Sequence, residues 1–198
     1  VTDPPTGEAL QEQTLGYFLD ALGSGQPLPA SGVAAALAGG MAAALVEKVA
    51  RISEDWDESR AVAAQARALR ARLVALASAD IEAYGAAMRA MRLPQSIPAE
   101  ERDHLLGRAL ETAADVPLAI ADAAADAAEL AAVAVDRCKP AVRPDAVAAV
   151  ELAESATRAA AQLVSANLAA RPGDARTTVA TEIVTRATAT GTRVRAQV

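Results

Sequence analysis

Hydrophobic and polar positions recur at helical spacing along almost the whole chain, and no alternating strand pattern survives beside them. Leu15, Phe18, Leu19 and Leu22 share one face of a short helix, residues 15–22, with Thr14 in position to cap it. Gly23, Gly25 and Pro27 end it. After Pro29 the run Ser31-Gly32-Val33-Ala34-Ala35-Ala36-Leu37 opens a helix of small residues, expected over 33–52 with Ser31 as its N-cap. A long helix, 58–92, carries an apolar stripe of Leu69, Leu73, Leu76, Tyr84, Ala87 and Met91. Pro98 marks the start of the next helix, 99–136, which Pro117 must kink or divide. Residues 137–144 read as a loop, and Asp145 as the N-cap of a helix over 146–170. Asp174 caps a last, threonine-rich helix reaching towards Gln197.

These elements describe an all-α bundle of long, Ala-rich antiparallel helices. Residues 1–13 are expected to be a flexible N-terminal segment and 14–198 one domain. Several helices are apolar over more than one face, so a homodimer is expected to bury what one chain cannot. Composition narrows the function. Aromatic residues are 2% of the chain, so the core must be made of Ala, Val, Leu, Ile and Met. The net charge of −6 argues against a nucleic-acid partner. One cysteine and one histidine leave no basis for a thiolate–imidazole metal site or an internal disulfide, and a reducing cytoplasm fits. The apolar run 33–46 is shorter than a membrane span requires, and no secretory leader heads the chain.

Three polar residues interrupt apolar surfaces. Asp80 falls in the middle of the stripe from Leu73 to Met91, so its carboxylate faces the interior. Burial there raises a carboxyl pKa towards the range useful for proton transfer, or else the group braces a neighbouring helix. Asn167 shares its side of a helix with Ala156, Ala160 and Leu163, and an amide there can hold a ligand or cross-link helices. Asp145 is first a helix cap, and a cap beside a pocket can touch a ligand. The start of the small-residue helix, with free amides and a positive dipole end, is a seat for a polarised group. His104, among Glu100, Glu101, Arg102 and Asp103, reads as a solvated residue without a catalytic role. Trp56 reads as a loop anchor, and the methionines as core filler.

Several segments taken together resemble a known family. They are Phe18-Leu19-Asp20-Ala21-Leu22, Pro27-x-Pro29, Gly32, Ala35-Ala36-Leu37-Ala38-Gly39 and Ala43-Ala44-Leu45. Farther on come Asp80-x-Glu82-Ala83-Tyr84, Ala90-Met91-Arg92-Leu93-Pro94, Val116-Pro117-Leu118-Ala119, Asp145 and Asn167-Leu168. In order and spacing they resemble formimidoyltetrahydrofolate cyclodeaminase domains and the related methenyltetrahydrofolate cyclohydrolases. That resemblance implies an all-α dimer that breaks or forms a C–N bond of a tetrahydrofolate one-carbon derivative, without a tightly bound cofactor. By position, Asp80 inherits proton transfer. Pro29, Ser31, Gly32, Tyr84, Gln95, Asp145 and Asn167 become candidate substrate contacts.

The chain departs from the family pattern in places. Ala30 and Ser31 stand in a glycine loop, and Gln95 stands where a lysine suits the glutamate tail of folate. Cys138-Lys139 replaces a Gly-Asn pair, and Pro144 a serine. A second reading is therefore a diverged relative that cyclises, hydrates or deaminates another nitrogen-containing molecule. A third is a helical assembly protein without activity.

Overall fold

A computed structural model of the chain describes residues 10–197. Its six α-helices are α1 (Leu15–Leu22), α2 (Ser31–Ile52), α3 (Ser59–Met91), α4 (Ala99–Arg137), α5 (Arg143–Asn167) and α6 (Ala175–Arg195). Short 3-10 turns at Leu10–Glu12 and Pro140–Val142 complete the elements, and there is no strand among the described residues. The expected all-α class holds.

Consecutive long helices run antiparallel. On α2 and α3, Gly32 lies against Asp80, Gly39 against Leu73, and Glu47 bonds Arg67 and Arg70, so the two chains of positions run in opposite senses. α4 sits at the centre and touches α2, α3, α5 and α6. Its stretch from Ile120 to Ala134 turns one side, Asp122, Asp126, Glu129 and Val133, outward, and the fully buried side chains around the rest of its circumference are nearly all alanine: Ala121, Ala123, Ala124, Ala125, Ala127, Ala128, Ala131, Ala132 and Ala134. Methyl-sized side chains let neighbouring helix backbones approach closely, which is how a core forms here with so few aromatics. The core is continuous along the bundle, with Trp56, Val62 and Val150 towards one end and Phe18, Leu73, Ile120 and Ile183 towards the other.

α2 is long and apolar enough, by length and composition, to cross a membrane, contrary to the short run read from the sequence. Most of it is buried against α3, α4 and α5, as befits the core helix of a bundle. Met41 nevertheless lies mid-helix and is 56% exposed. Met91 is equally exposed, so neither methionine is core filler and the α3 stripe does not reach the helix end.

Several helix starts differ from expectation. Ser31 is exposed and is the first residue of α2, not its cap; Ala30 occupies the cap position without any side-chain bond. Asp145 does not cap α5. The helix begins at Arg143 because Pro144 needs no amide partner and its fixed φ suits the first turn, which carries the start three residues earlier than the expected 146. α5 ends at Asn167, not Ala170. Pro98 precedes α4 by one residue instead of opening it.

Other expectations hold. Thr14 accepts from the Tyr17 amide at 3.2 Å, and Asp174 from the Arg176 amide at 3.0 Å. Trp56 is buried and His104 exposed. In α6 the hydroxyls of Thr181, Thr185 and Thr190 bond back to carbonyls four residues earlier, so weak helix formers are accommodated by local bonds. Of the expected N-terminal segment, residues 1–9 lie outside the described residues. Leu10 packs against the Phe18 end of the core, so the segment's inner boundary is part of the fold.

Candidate active site

Pro27 to Ala30 feed α2 from a loop, and the Leu28–Pro29 peptide is cis. Four amides at a helix start lack intrahelical acceptors. Here the first α-helical bond is from Ala34 N–H to Ala30 carbonyl, at 3.3 Å, leaving the amides of Ser31, Gly32 and Val33 without that ladder. Opposite them, on α3, stands Asp80, only 6% exposed. Its carboxylate rests directly on Gly32, in the volume a Cβ there would occupy. Among the described residues no hydrogen bond or ion pair engages it. Burial pushes the Asp80 carboxyl above its ordinary value. A buried carboxylate without a partner is costly unless it takes up a proton or meets a cationic ligand, so this is a group held ready for either.

Tyr84 is half-buried one turn along α3 from Asp80, on the same side of the helix. Pro29 is half-buried, and Leu28 reaches α3 beside Gly85. The structure thus gathers Pro29, Ser31, Gly32, Asp80 and Tyr84 at one end of the bundle. Gln95 is exposed in the connection after α3, about 17 Å or more along the helix axis from Asp80 by helical rise.

Two expected contacts do not join this group. Asp145 pairs with Lys48 at 2.6 Å. Lys48 lies about 24 Å along α2 from Gly32 by helical rise, so within one chain Asp145 is at the other end. Asn167 lies at the Asp80 end, because α5 returns antiparallel to α2, but its amide is occupied. Asn167 Nδ2 donates to the Ala113 carbonyl at 2.7 Å. That carbonyl is the one a residue at 117 would have bonded, and Pro117 has no N–H to offer. α4 consequently runs unbroken from Ala99 to Arg137 through its proline. Arg176 reinforces the same region, donating to the Glu111 carbonyl at 3.0 Å and to Asp115 at 2.7 Å.

Two further buried carboxylates were not foreseen. Glu47 accepts from Arg51, Arg67 and Arg70, which hold its carboxyl below the ordinary value against the opposing effect of burial. Glu154 is fully buried on α5, rests on Gly191 of α6, and pairs with Arg195 at 2.7 Å and Arg158 at 3.1 Å. Both are ion-paired with arginine, although Glu154 Oε1 has no hydrogen-bond partner, whereas Asp80 meets no cation at all.

A hollow of about 550 Å³ lies between α3 and α4 around Leu69, Leu130 and Val133. It is an open groove whose Arg72 pairs with Asp122 at 3.3 Å, and it does not include Asp80. A buried group without a partner is a stronger pointer to a candidate site than volume is. No cluster of His, Cys, Asp and Glu among the described residues could hold a metal ion.

Comparison with known proteins gives three findings. Residues 14–183 match the formiminotransferase-cyclodeaminase family profile. The chain is 34% identical over 164 residues to a methenyltetrahydrofolate cyclohydrolase of Methylorubrum extorquens, an alignment covering 78% of this chain and 79% of that protein. Its fold superposes on the crystal structure of formiminotetrahydrofolate cyclodeaminase from Thermotoga maritima with a TM-score of 0.81, at 21% identity, covering 93% of this chain and 95% of that one.

Proposed function

The chain belongs to the formiminotransferase-cyclodeaminase family, and from that premise we propose that it is a cyclohydrolase acting on a methenyltetrahydrofolate-type substrate, with Asp80 as its general base and acid. The observation that carries the mechanism is the buried, unpartnered Asp80 carboxylate beside the start of α2. The relative's reaction supplies the substrate class. The diverged substrate and the inactive scaffold have no comparable support.

The reacting carbon of a methenyl bridge joins two nitrogens and carries positive charge. A desolvated carboxylate attracts such a cation and counters its charge. Asp80 takes a proton from water as its oxygen attacks that carbon. It then returns the proton to one ring-closing nitrogen as that C–N bond breaks. The former water oxygen gives its remaining proton to the Asp80 carboxylate, now free again, which passes it to solvent, and becomes the carbonyl of a formyl group. A base whose pKa is raised by burial is a stronger proton acceptor than a solvated aspartate, and the same group can act as the acid. The free amides at the start of α2, and Tyr84 one turn along α3, are available to orient the substrate. The departing nitrogen needs no metal in this scheme, and no tightly bound cofactor is invoked.

The assembly we propose is a homodimer built on α2. Met41 and the partly buried Leu37, Ala38 and Leu45 form an outward apolar stripe on an otherwise buried helix. A second copy covering that stripe would complete its burial.

The decisive variant is Asp80→Asn, nearly isosteric and uncharged. Hydrolysis of methenyltetrahydrofolate should fall about 100-fold or more, with the far-ultraviolet circular dichroism of the native chain retained. Near-native turnover in a folded Asp80→Asn protein would remove Asp80 from the chemistry.

A further inference from the structure

α2 is rich in alanine but also contains Gly32, Gly39 and Gly40, and these three glycines meet different surroundings. A Cβ added at Gly40 would find ordinary contact, 3.9 Å from Val74 and 4.0 Å from Leu73. At Gly39 it would press on apolar side chains, 3.3 Å from Ala124 and from Leu73, which is helix packing. At Gly32 the nearest atoms are all from one group, the Asp80 carboxylate, and a Cβ would coincide with it. Gly32 is helical, so the backbone does not require glycine there.

We propose that Gly32 is a positioning residue: its missing side chain is the seat of the Asp80 carboxylate and sets where that carboxylate stands relative to the start of α2. The inference rests on the reading of Asp80 as the proton-transfer group. The chain contains its own control in Gly191, which admits Glu154 in the same way. There the carboxylate is gripped by Arg195 and Arg158, so the glycine serves an ion pair between helices. At Gly32 no cation is engaged, so close packing there leaves the carboxylate uncompensated while fixing its place. A methyl group at 32 would not demand a backbone shift, because Asp80 can rotate away. It would cost position, and a reacting group displaced by about 1 Å loses roughly 100-fold in rate.

The test is a cycle of Gly32→Ala, Asp80→Ala and the double variant, measured for methenyltetrahydrofolate hydrolysis and for melting temperature. Gly32→Ala should lower kcat about 100-fold while KM stays within about 3-fold, since substrate still enters. Adding Gly32→Ala to Asp80→Ala should cost no further activity. It should also raise the melting temperature more there than in the native background, because alanine favours the helix and nothing then collides with its methyl. Should Gly32→Ala fail to fold, recovery of folding in the double variant supports the direct collision, and continued failure overturns it. A raised KM with native kcat would mean that Gly32 contacts substrate instead. Native turnover of Gly32→Ala beside an inactive Asp80→Ala would overturn the positioning role alone. Native turnover of Asp80→Ala would overturn the catalytic reading beneath it.

Discussion

Asn167→Ala should destabilise the protein through a carbonyl on another helix. The Ala113 carbonyl has lost its helical donor to Pro117 and accepts from Asn167 Nδ2 instead, at 2.7 Å. Ala113 is 3% exposed, so water has poor access once the amide is gone. A buried acceptor left unsatisfied costs about 1–3 kcal/mol. Asn167 is itself half-buried, and partial entry of water favours the lower part, about 1–2 kcal/mol. For a chain of this size that corresponds to a fall in melting temperature of roughly 2–8 °C. The assay is urea unfolding and calorimetry at one fixed protein concentration, because an oligomer's apparent stability depends on concentration. The sharper result is the second background. Pro117→Ala restores an N–H that can reach the Ala113 carbonyl, making the amide of Asn167 redundant. Asn167→Ala should then cost less than about 0.5 kcal/mol, the usual limit of additivity for uncoupled sites. Equal costs in the two backgrounds would refute the repair of the proline gap and return Asn167 to the list of ligand contacts.

Asp80→Leu should raise the melting temperature at neutral pH. Burial raises the Asp80 carboxyl from 3.8 in the folded state, so ionising it penalises the native form. That penalty develops as pH rises from about the unfolded value through the raised folded one, so the gain from leucine should shrink towards pH 4. A gain independent of pH would disprove the assigned cause. Gln95→Lys, in an exposed connection, should tighten binding of polyglutamylated over monoglutamylated folates by calorimetry; equal affinities would detach Gln95 from the substrate tail. Met41→Lys should shift the proposed dimer towards monomer in light scattering at micromolar concentration, and a native monomer would dispose of the α2 interface.

The long helices were legible because apolar spacing and prolines bound them. α1 appears over Leu15–Leu22 as read, and α2 ends at Ile52 as read. Errors fell at starts, where Ser31 and Asp145 were assigned to caps by residue type. Whether a residue caps depends on its φ, ψ and on the proline next to it, which a preference for serine or aspartate does not encode. Asp80 was legible as buried because its helical phase is unambiguous. Its seat on Gly32 was not, since that contact joins helices 48 residues apart in the chain. The signal for Asn167 was present in Pro117: a proline inside a helix that continues must leave a carbonyl for someone to satisfy. Glu154 and Glu47 were hidden by their own polarity, which suggests solvent until an arginine or a glycine on another helix is placed beside them.

The alanine-lined centre of α4 turns the usual sensitivity of a core upside down. In a leucine core the damaging change is truncation, which leaves a cavity. Around Ala121 to Ala134 there is almost nothing to truncate: a methyl is the whole buried side chain. Enlargement is the dangerous direction, because added carbons would have to push back the helix packed against that position, and α4 has four such neighbours. Variation in this segment is thus confined to one size class, and its spacing tolerance is that of backbone against backbone. The Asp80 end of the bundle inherits this stiffness. α2 and α3 are both clamped on α4, so the distance between Gly32 and Asp80 is ultimately gauged by the width of a methyl group.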